Sequence, residues 1–166
     1  MRVPIRRGSG PILAPQDPKM TKEKFKELQA KLDFWLKIKR PKEAEEVKRL
    51  ALMGDFSENV GYQLAKGRLR GLNQRIIELT NLLARAEIID RKNNLNQVDI
   101  GSNVKIKIED KIKIYTILGS AETDPANAII SHVSPLGIAL LGKKINEEFV
   151  LKTGNKEKKC QILEIF

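Results

Sequence analysis

Cysteine, histidine and aromatic residues are scarce in this chain of 166 residues. The single Cys160 excludes an internal disulfide and is typical of a protein in a reducing cytoplasm. Cys160 and the single His132 have no partners at metal-ligand spacing, so both are expected to be packing residues. Because aromatic residues make up only 5% of the chain, any core must consist largely of Ile, Leu and Val.

Long apolar runs are also missing. No segment approaches the roughly 20 apolar residues that span a bilayer, and residues 1–19 lack the apolar stretch of a secretory signal. That first segment instead contains four prolines and two glycines without periodicity, which predicts a flexible basic tail. These absences together predict a cytoplasmic protein.

Positive charge, by contrast, is present in excess. The formal net charge is +10, and nearly all of the excess lies in residues 1–97. Such a charge favours a polyanionic partner, or a machine that itself handles a polyanion. The lysines between Lys22 and Lys48 are explained more simply as the solvated surface of a helix.

A regular apolar seam runs through the middle of the chain. Its residues step alternately by three and four, which predicts a long helix with a coiled-coil seam up to about Asp90. The seam consists of Tyr62, Ala65, Leu69, Leu72, Ile76, Leu79, Leu83 and Ala86.

An earlier helix is predicted by a similar series. Thr21 suits its N-cap, and Pro41 predicts a break or kink because proline removes a helical hydrogen bond and clashes with the preceding turn. The short connection to the second helix favours an antiparallel pair within one chain, and hence a monomer, with a homodimeric zipper as the alternative. The seam residues of this helix are Phe25, Leu28, Leu32 and Trp35, and then Ala44, Val47 and Ala51.

The connection at residues 54–62 reads Gly-Asp-Phe-Ser-Glu-Asn-Val-Gly-Tyr. Gly54 suits the left-handed residue that ends a helix, and Asp55 suits the N-cap of the next one. Asp55 and Glu58 are three residues apart, so they share one face of the first turn. The same pair is typical of a capping box, and the residues alone leave a structural role and a chemical role open.

Basic residues and two glycines follow outside the seam of the second helix. The basic residues either contact nucleic-acid phosphates or shield the seam with their stems while their charged ends stay in water. Gly67 and Gly71 should each cost up to ~1 kcal/mol relative to Ala. The basic residues are Lys66, Arg68, Arg70 and Arg75.

After a polar linker at residues 93–97 the apolar period changes to two, which predicts strands. Residues 135–141 predict a short helix, with Ser134 as cap and Gly142 as stop. The expected fold class is therefore α+β. Residues 20–93 are expected to form an antiparallel coiled-coil hairpin with its tip at 54–62, and residues 98–166 a small antiparallel β domain with one short helix.

Two motifs of this chain resemble those of the bacterial GreA/GreB family of transcript-cleavage factors. The family's tip pattern Gly-Asp-x-x-Glu-Asn-x-x-Tyr is matched by Gly54, Asp55, Glu58, Asn59 and Tyr62. A second match lies at residues 134–143, and the resemblance covers about residues 20–166. The family usually begins near Met20, so the 1–19 tail is a departure from it.

The resemblance implies a factor that rescues arrested transcription. Such factors dock on bacterial RNA polymerase, insert the coiled-coil tip through its secondary channel, and stimulate the polymerase's own Mg²⁺-dependent cleavage of backtracked RNA. It implies that Asp55 and Glu58 help to hold a second Mg²⁺ jointly with the polymerase, in a two-metal phosphodiester hydrolysis. The protein would then not be an enzyme by itself, and no metal is expected in the isolated chain.

The resemblance also assigns supporting residues. It implies an FKBP-like fold for the C-terminal domain, which is expected to be a docking module. Lys66 lies at one of the family's basic positions. Tip support is expected from Ser57, Asn59 and Tyr62, and polymerase docking from Ser134, Pro135, Gly142 and Lys143. Contact with the backtracked RNA is expected from Lys66 and, because they cluster with it on the tip-proximal half of the helix, from Arg68, Arg70 and Arg75.

Gly61 departs from the family pattern, which often has an acidic residue there. Without that carboxylate the negative field at the tip is weaker. The leading alternative is therefore a Gre-like protein that occupies the channel and regulates or inhibits the polymerase with little cleavage. A stand-alone nuclease and a generic coiled-coil adaptor are two others.

Overall fold

The computed structural model describes residues 17–53, 60–89, 96–153 and 156–166. The described chain consists of a helical hairpin followed by a domain built on a five-stranded sheet. None of its described helices is long and apolar enough to cross a membrane. The tip residues at 54–59, most of the 1–19 tail and most of the 93–97 linker lie outside the described residues.

The hairpin begins with a three-residue strand, β1 (Lys19–Thr21), which leads into helix α1 (Lys22–Phe34). Thr21 is the N-cap of α1, as predicted, because its Oγ1 accepts a hydrogen bond from Lys24 N at 3.2 Å. The helix then passes through a π-helical turn, Trp35–Lys39, into helix α2 (Arg40–Ala51).

The π-helical turn lies directly before Pro41. Arg40 N donates to Trp35 O, five residues back rather than four. Pro41 has no N–H to donate, and in a regular helix its ring would clash with the carbonyl four residues earlier. The wider π-turn accommodates the ring, so the predicted disruption before Pro41 takes this form and the helix continues.

One extra residue in the π-turn rotates the face that α2 presents to its partner helix. Glu43, Val47 and Leu50 are half-buried, whereas Ala44 is exposed. The prediction that Ala44 belongs to the seam is therefore wrong. It restarted the series after a break at Pro41, whereas the helix continues through the π-turn, whose one extra residue brings Glu43 instead of Ala44 to the paired face.

Helix α3 (Val60–Ala84) carries the predicted seam. Leu79 and Leu82 form a buried cluster with Met20, and the α1 seam residues from Phe25 to Trp35 pack against that cluster. The helices thus pair within one chain. Sequence periodicity identified the seam but not Leu82, which adds a second buried position beside Leu83.

The predicted extension of this helix to about Asp90 is wrong, because residues Glu87–Ile89 form a strand, β2. Strand β2 pairs with β1 in parallel, with Met20 opposite Ile88, and Glu87 N donates to Pro18 O at 2.9 Å. This ladder joins the start of the hairpin to its end. The hairpin domain therefore includes residues before Met20.

The second domain contains strands β3 (Asn103–Ile108), β4 (Lys111–Leu118), β5 (Ile129–Ser131), β6 (Glu148–Thr153) and β7 (Lys156–Ile165). Their order in the sheet is β5-β4-β3-β7-β6, and all pairings are antiparallel except the parallel pairing of β4 with β5. Alternate residues of β3, Val104 and Ile106, are fully buried in the core, as expected for a strand with one buried face.

Helix α4 (Pro135–Leu140) covers the buried face, where Leu140 belongs to the core. Ser134 is its N-cap, because Ser134 Oγ accepts from Gly137 N at 3.0 Å. Gly142 follows the helix with a φ of 77°, a left-handed conformation that favours glycine. The predicted cap and stop are both confirmed.

Candidate nucleic-acid and partner interface

The distal end of the hairpin is where α2 ends and α3 begins. The acidic residues Asp55 and Glu58 belong to the segment that connects them and lie outside the described residues, so their predicted convergence stays a prediction. The described residues on either side are apolar and exposed. The exposed fractions are 80% for Leu52, 64% for Met53 and 70% for Val60.

Tyr62 lies within the seam of α3 and is half-buried. The Nζ atom of Lys66 lies 5.8 Å from the centroid of the Tyr62 ring, within the range of a cation–π interaction. Tyr62, in the first turn of α3, therefore contacts Lys66, the first basic residue of that helix. This geometry is compatible with the predicted supporting role of Tyr62.

The four basic residues of α3 do not form one cluster. Lys66 and Arg70 line one surface hollow of about 470 Å³ with Gln63 and Asn73. Arg68 and Arg75 line a second hollow of about 520 Å³, where Lys39 of the π-turn contributes a further positive charge. The bare helix surface at Gly67 lines both hollows.

Glu43 of α2 compensates part of the charge on the second side. Arg68 Nε lies 3.3 Å from Glu43 Oε2, across the pair of helices. On the other side, Arg40 Nε donates to Asn73 Oδ1 at 3.0 Å. Neither pair was predicted, because the register of α2 against α3 depends on the π-turn. Among the described residues, Arg68 is the one of the four basic residues that lies within ion-pair distance of a carboxylate.

The predicted docking residues lie at the two ends of α4. Ser134 and Pro135 start the helix, while Gly142 and Lys143 follow its end. Two exposed apolar residues flank its N-terminus, namely Val133 (53% exposed) and Ile138 (64% exposed). They occupy positions that often pack together at a helix start. The sequence did not identify them, because a six-residue helix is too short for its apolar pattern to distinguish the exposed face from the buried face.

Lys143 is held in place at the far end of α4. Its Nζ donates to the Glu147 carboxylate, which also accepts from Lys144 N at 3.0 Å. The hydrogen bond from Lys143, followed by that from Lys144 N, lowers the pKa of Glu147 below its ordinary value. Gly142 and Lys143 also bond through their backbones to Val98, at 2.9 and 2.8 Å, which fixes this end of the helix to the start of the domain.

Comparison with known proteins covers both parts of the chain. A family model described as transcription elongation factor, N-terminal, matches residues 18–88, and one described as transcription elongation factor, GreA/GreB, C-term, matches residues 92–166. The chain is 38% identical over 154 residues to the transcription elongation factor GreA of a Nitratiruptor species, covering 91% of this chain and 94% of that protein.

A second relative is the transcription elongation factor GreA of Caldanaerobacter subterraneus subsp. tengcongensis, 39% identical over 150 residues, with 88% and 95% coverage. Among solved structures, the GreA factor homolog 1 of Thermus thermophilus matches with a TM-score of 0.42 and 22% identity, covering 91% of this chain and 99% of that one.

Proposed function

Because this chain belongs to the GreA/GreB family of transcription elongation factors, we propose that it acts on bacterial RNA polymerase. Its sheet domain docks on the polymerase, and its hairpin enters the secondary channel with the distal end first. There it stimulates the polymerase's own cleavage of backtracked RNA, which frees arrested complexes. The chain supplies side chains to that reaction and is not itself an enzyme.

The observation that carries this proposal is the paired hairpin. Helix α3 has 25 residues, so it is about 37 Å long at ~1.5 Å per residue. It packs against α1 and α2 of the same chain, and the acidic segment connects the end of α2 to the start of α3. A slender pair of helices with carboxylates at its far end suits insertion into a narrow passage.

The acidic segment accounts for the proposed chemistry. Asp55 and Glu58 would hold Mg²⁺ together with carboxylates of the polymerase, since hard oxygen donors suit this ion. In the complex, the ion supplies charge stabilisation at the attacking and leaving oxygens of a phosphodiester. Two carboxylates leave most of an octahedral shell unfilled, so we expect the isolated chain to bind Mg²⁺ weakly.

The described surfaces supply the other two contacts that the proposal needs. The exposed pair Val133 and Ile138 at the start of α4 offers an apolar docking surface, with Lys143 at the other end of the helix. The basic sides of α3 offer phosphate contacts behind the acidic tip. Docking and insertion thus involve different domains of the chain.

A reconstituted elongation complex tests the proposal. Bacterial RNA polymerase is stalled in a backtracked position on a template with 3′-labelled RNA, and the purified chain is added with Mg²⁺. We expect release of short labelled fragments at a rate that rises with the factor concentration and saturates. An unchanged cleavage rate, with the factor absent from the complexes, would refute both docking and cleavage.

Gly61 favours one alternative function, a channel-binding regulator with little cleavage activity, because an acidic residue is often found there in the family. The same assay separates the two. A factor that binds the complexes and slows nucleotide addition without releasing RNA fragments would be such a regulator.

A further inference from the structure

A set of contacts joins the base of the hairpin to the sheet domain. Thr21, the N-cap of α1, is 1% exposed and faces Glu122. Thr21 N donates to Glu122 Oε2 at 2.8 Å, and Thr21 Oγ1 donates to Glu122 Oε1 at 2.5 Å. Both oxygens of one carboxylate therefore hold a single residue of the other domain, a geometry that fixes direction as well as distance.

Asp17 makes the reciprocal contact. Its Oδ2 accepts from Ser120 N at 2.9 Å, and its Oδ1 accepts from Lys19 N at 3.2 Å. His132 Nδ1 lies 3.3 Å from the same Oδ2 atom. Each domain thus contributes one carboxylate to the other, and neither contact is readable from the sequence because the partners are about a hundred residues apart.

Gly119 shows how closely the two domains approach. A Cβ atom at this position would lie 1.7 Å from Lys19 O and 2.6 Å from Lys19 C, both in the backbone of β1. No side chain fits there unless β1 moves away. This close backbone approach is independent of the hydrogen bonds of Glu122 and Asp17, and it lies at the same place, which we call the joint (residues 17–21 against 119–122).

Among the described residues, the joint holds the hairpin at its base. Helix α3 is about 37 Å long. A rotation of about 10° at the joint would therefore displace its far end by roughly 6 Å. Misplacement of a reacting group by about 1 Å is enough to slow a reaction by roughly 100-fold. A loose joint would therefore spoil the placement of the tip even if docking were perfect.

We propose that Glu122 and Gly119 are positioning residues, which set the angle between the docking domain and the hairpin and so determine where the acidic tip arrives. This inference rests on the proposed function. It assigns to two residues of the sheet domain, distant from the tip, an effect on the rate of RNA cleavage and not on the affinity for the polymerase.

The test compares Glu122→Ala, Glu122→Gln and Gly119→Ala with the parent in the backtracked complex, at increasing factor concentration. We expect the maximal cleavage rate to fall at least about tenfold in Glu122→Ala and Gly119→Ala. The half-saturating concentration should stay within about twofold, because the surface around α4 is unchanged. Glu122→Gln keeps one acceptor for Thr21 N and should be intermediate.

A matched control is available. Glu164→Ala removes a carboxylate of the same domain that pairs with Lys105 at the exposed sheet surface, at 3.4 Å, and it should be silent. A cooperative thermal unfolding transition establishes that each variant is folded. If Glu122→Ala does not fold, Glu122→Gln takes its place in the comparison.

A second readout measures the angle directly. Spin labels at Gln74 and Lys107, both exposed, should give a single narrow distance distribution in the parent and a broad one in Glu122→Ala. A parent without cleavage activity would refute the proposed function itself. An active parent whose folded joint variants cleave at the parental rate, or keep the narrow distance distribution, would overturn the positioning role alone.

Discussion

Arg68 Nε on α3 lies 3.3 Å from Glu43 Oε2 on α2, so one basic residue of the hairpin is paired across its two helices. Lys66 and Arg70 lie on the other side of α3, together with Asn73. The four basic residues that the sequence suggested as one RNA-binding flank are therefore divided. The two sides should contribute unequally to RNA binding.

We predict that Lys66→Ala with Arg70→Ala reduces crosslinking of backtracked RNA near the tip more than Arg68→Ala does. Each phosphate contact that is lost should lower the slope of log affinity against log salt concentration by roughly one, so the double variant should lower it by about two. Binding at several salt concentrations measures this slope.

Lys42→Ala with Lys48→Ala is the matched control, because it removes the same charge from the exposed surface of α2. If this control lowers crosslinking as much as the α3 variant does, the effect is one of overall charge. The two α3 residues would then be part of a solvated surface only.

Asp55→Asn and Glu58→Gln separate the helix-cap role from the chemical role. Asn is as good an N-cap as Asp, and Gln serves at the third position of a capping box, but neither is a strong ligand for Mg²⁺. Both variants should keep the helicity and the polymerase affinity of the parent and lose stimulated RNA cleavage. Parental cleavage rates in both would mean that the two acids only cap a helix.

Pro41→Ala tests the account of the π-turn. In a regular helix interior proline costs about 3 kcal/mol relative to alanine. Here the π-turn before Pro41 accommodates the proline ring, and Pro41 lies in the first turn of α2, where its missing N–H matters little. We therefore expect the free energy of unfolding in urea to change by less than about 1 kcal/mol. A gain near 3 kcal/mol would show that the π-turn does not relieve the proline.

Cys160 should react slowly with thiol reagents in the native protein. Its side chain is buried, and burial raises the pKa of the thiol above its ordinary value. Since the thiolate is the reactive form, alkylation by iodoacetamide at pH 8 should be far slower than in the protein unfolded in urea. Equal rates in the two states, followed by mass spectrometry, would contradict the burial of Cys160.

The periodic parts of this fold were readable from the sequence. The α3 seam at Leu72, Ile76 and Leu79 was predicted because apolar steps of three and four place side chains on one helix face, and all three are buried. The cap at Ser134 was predicted because a serine side-chain oxygen can accept a backbone N–H at a helix start, and the stop at Gly142 because glycine favours the left-handed conformation that ends a helix.

The parts that depend on distant partners were not readable. The composition of Glu87–Ile89 does not differ from that of the helix before it. These residues form a strand because β1, far away in sequence, offers them backbone partners. The exposure of Ala44 follows from one extra residue in a turn. The carboxylate of Glu122 accepts a hydrogen bond from Thr21 N, 101 residues earlier in the chain. The local sequence at Ser120–Glu122 does not indicate this contact.

The π-turn also protects the hairpin against slippage. A seam with a strict seven-residue repeat can slide by one repeat and still bury apolar side chains, which would leave the two helix ends at unequal heights. Here the five-residue step at Trp35–Lys39 interrupts the repeat on one helix only, and the β1–β2 ladder ties the opposite end to one alignment. The two helices therefore align in a single register, which fixes the height at which α2 ends relative to the start of α3.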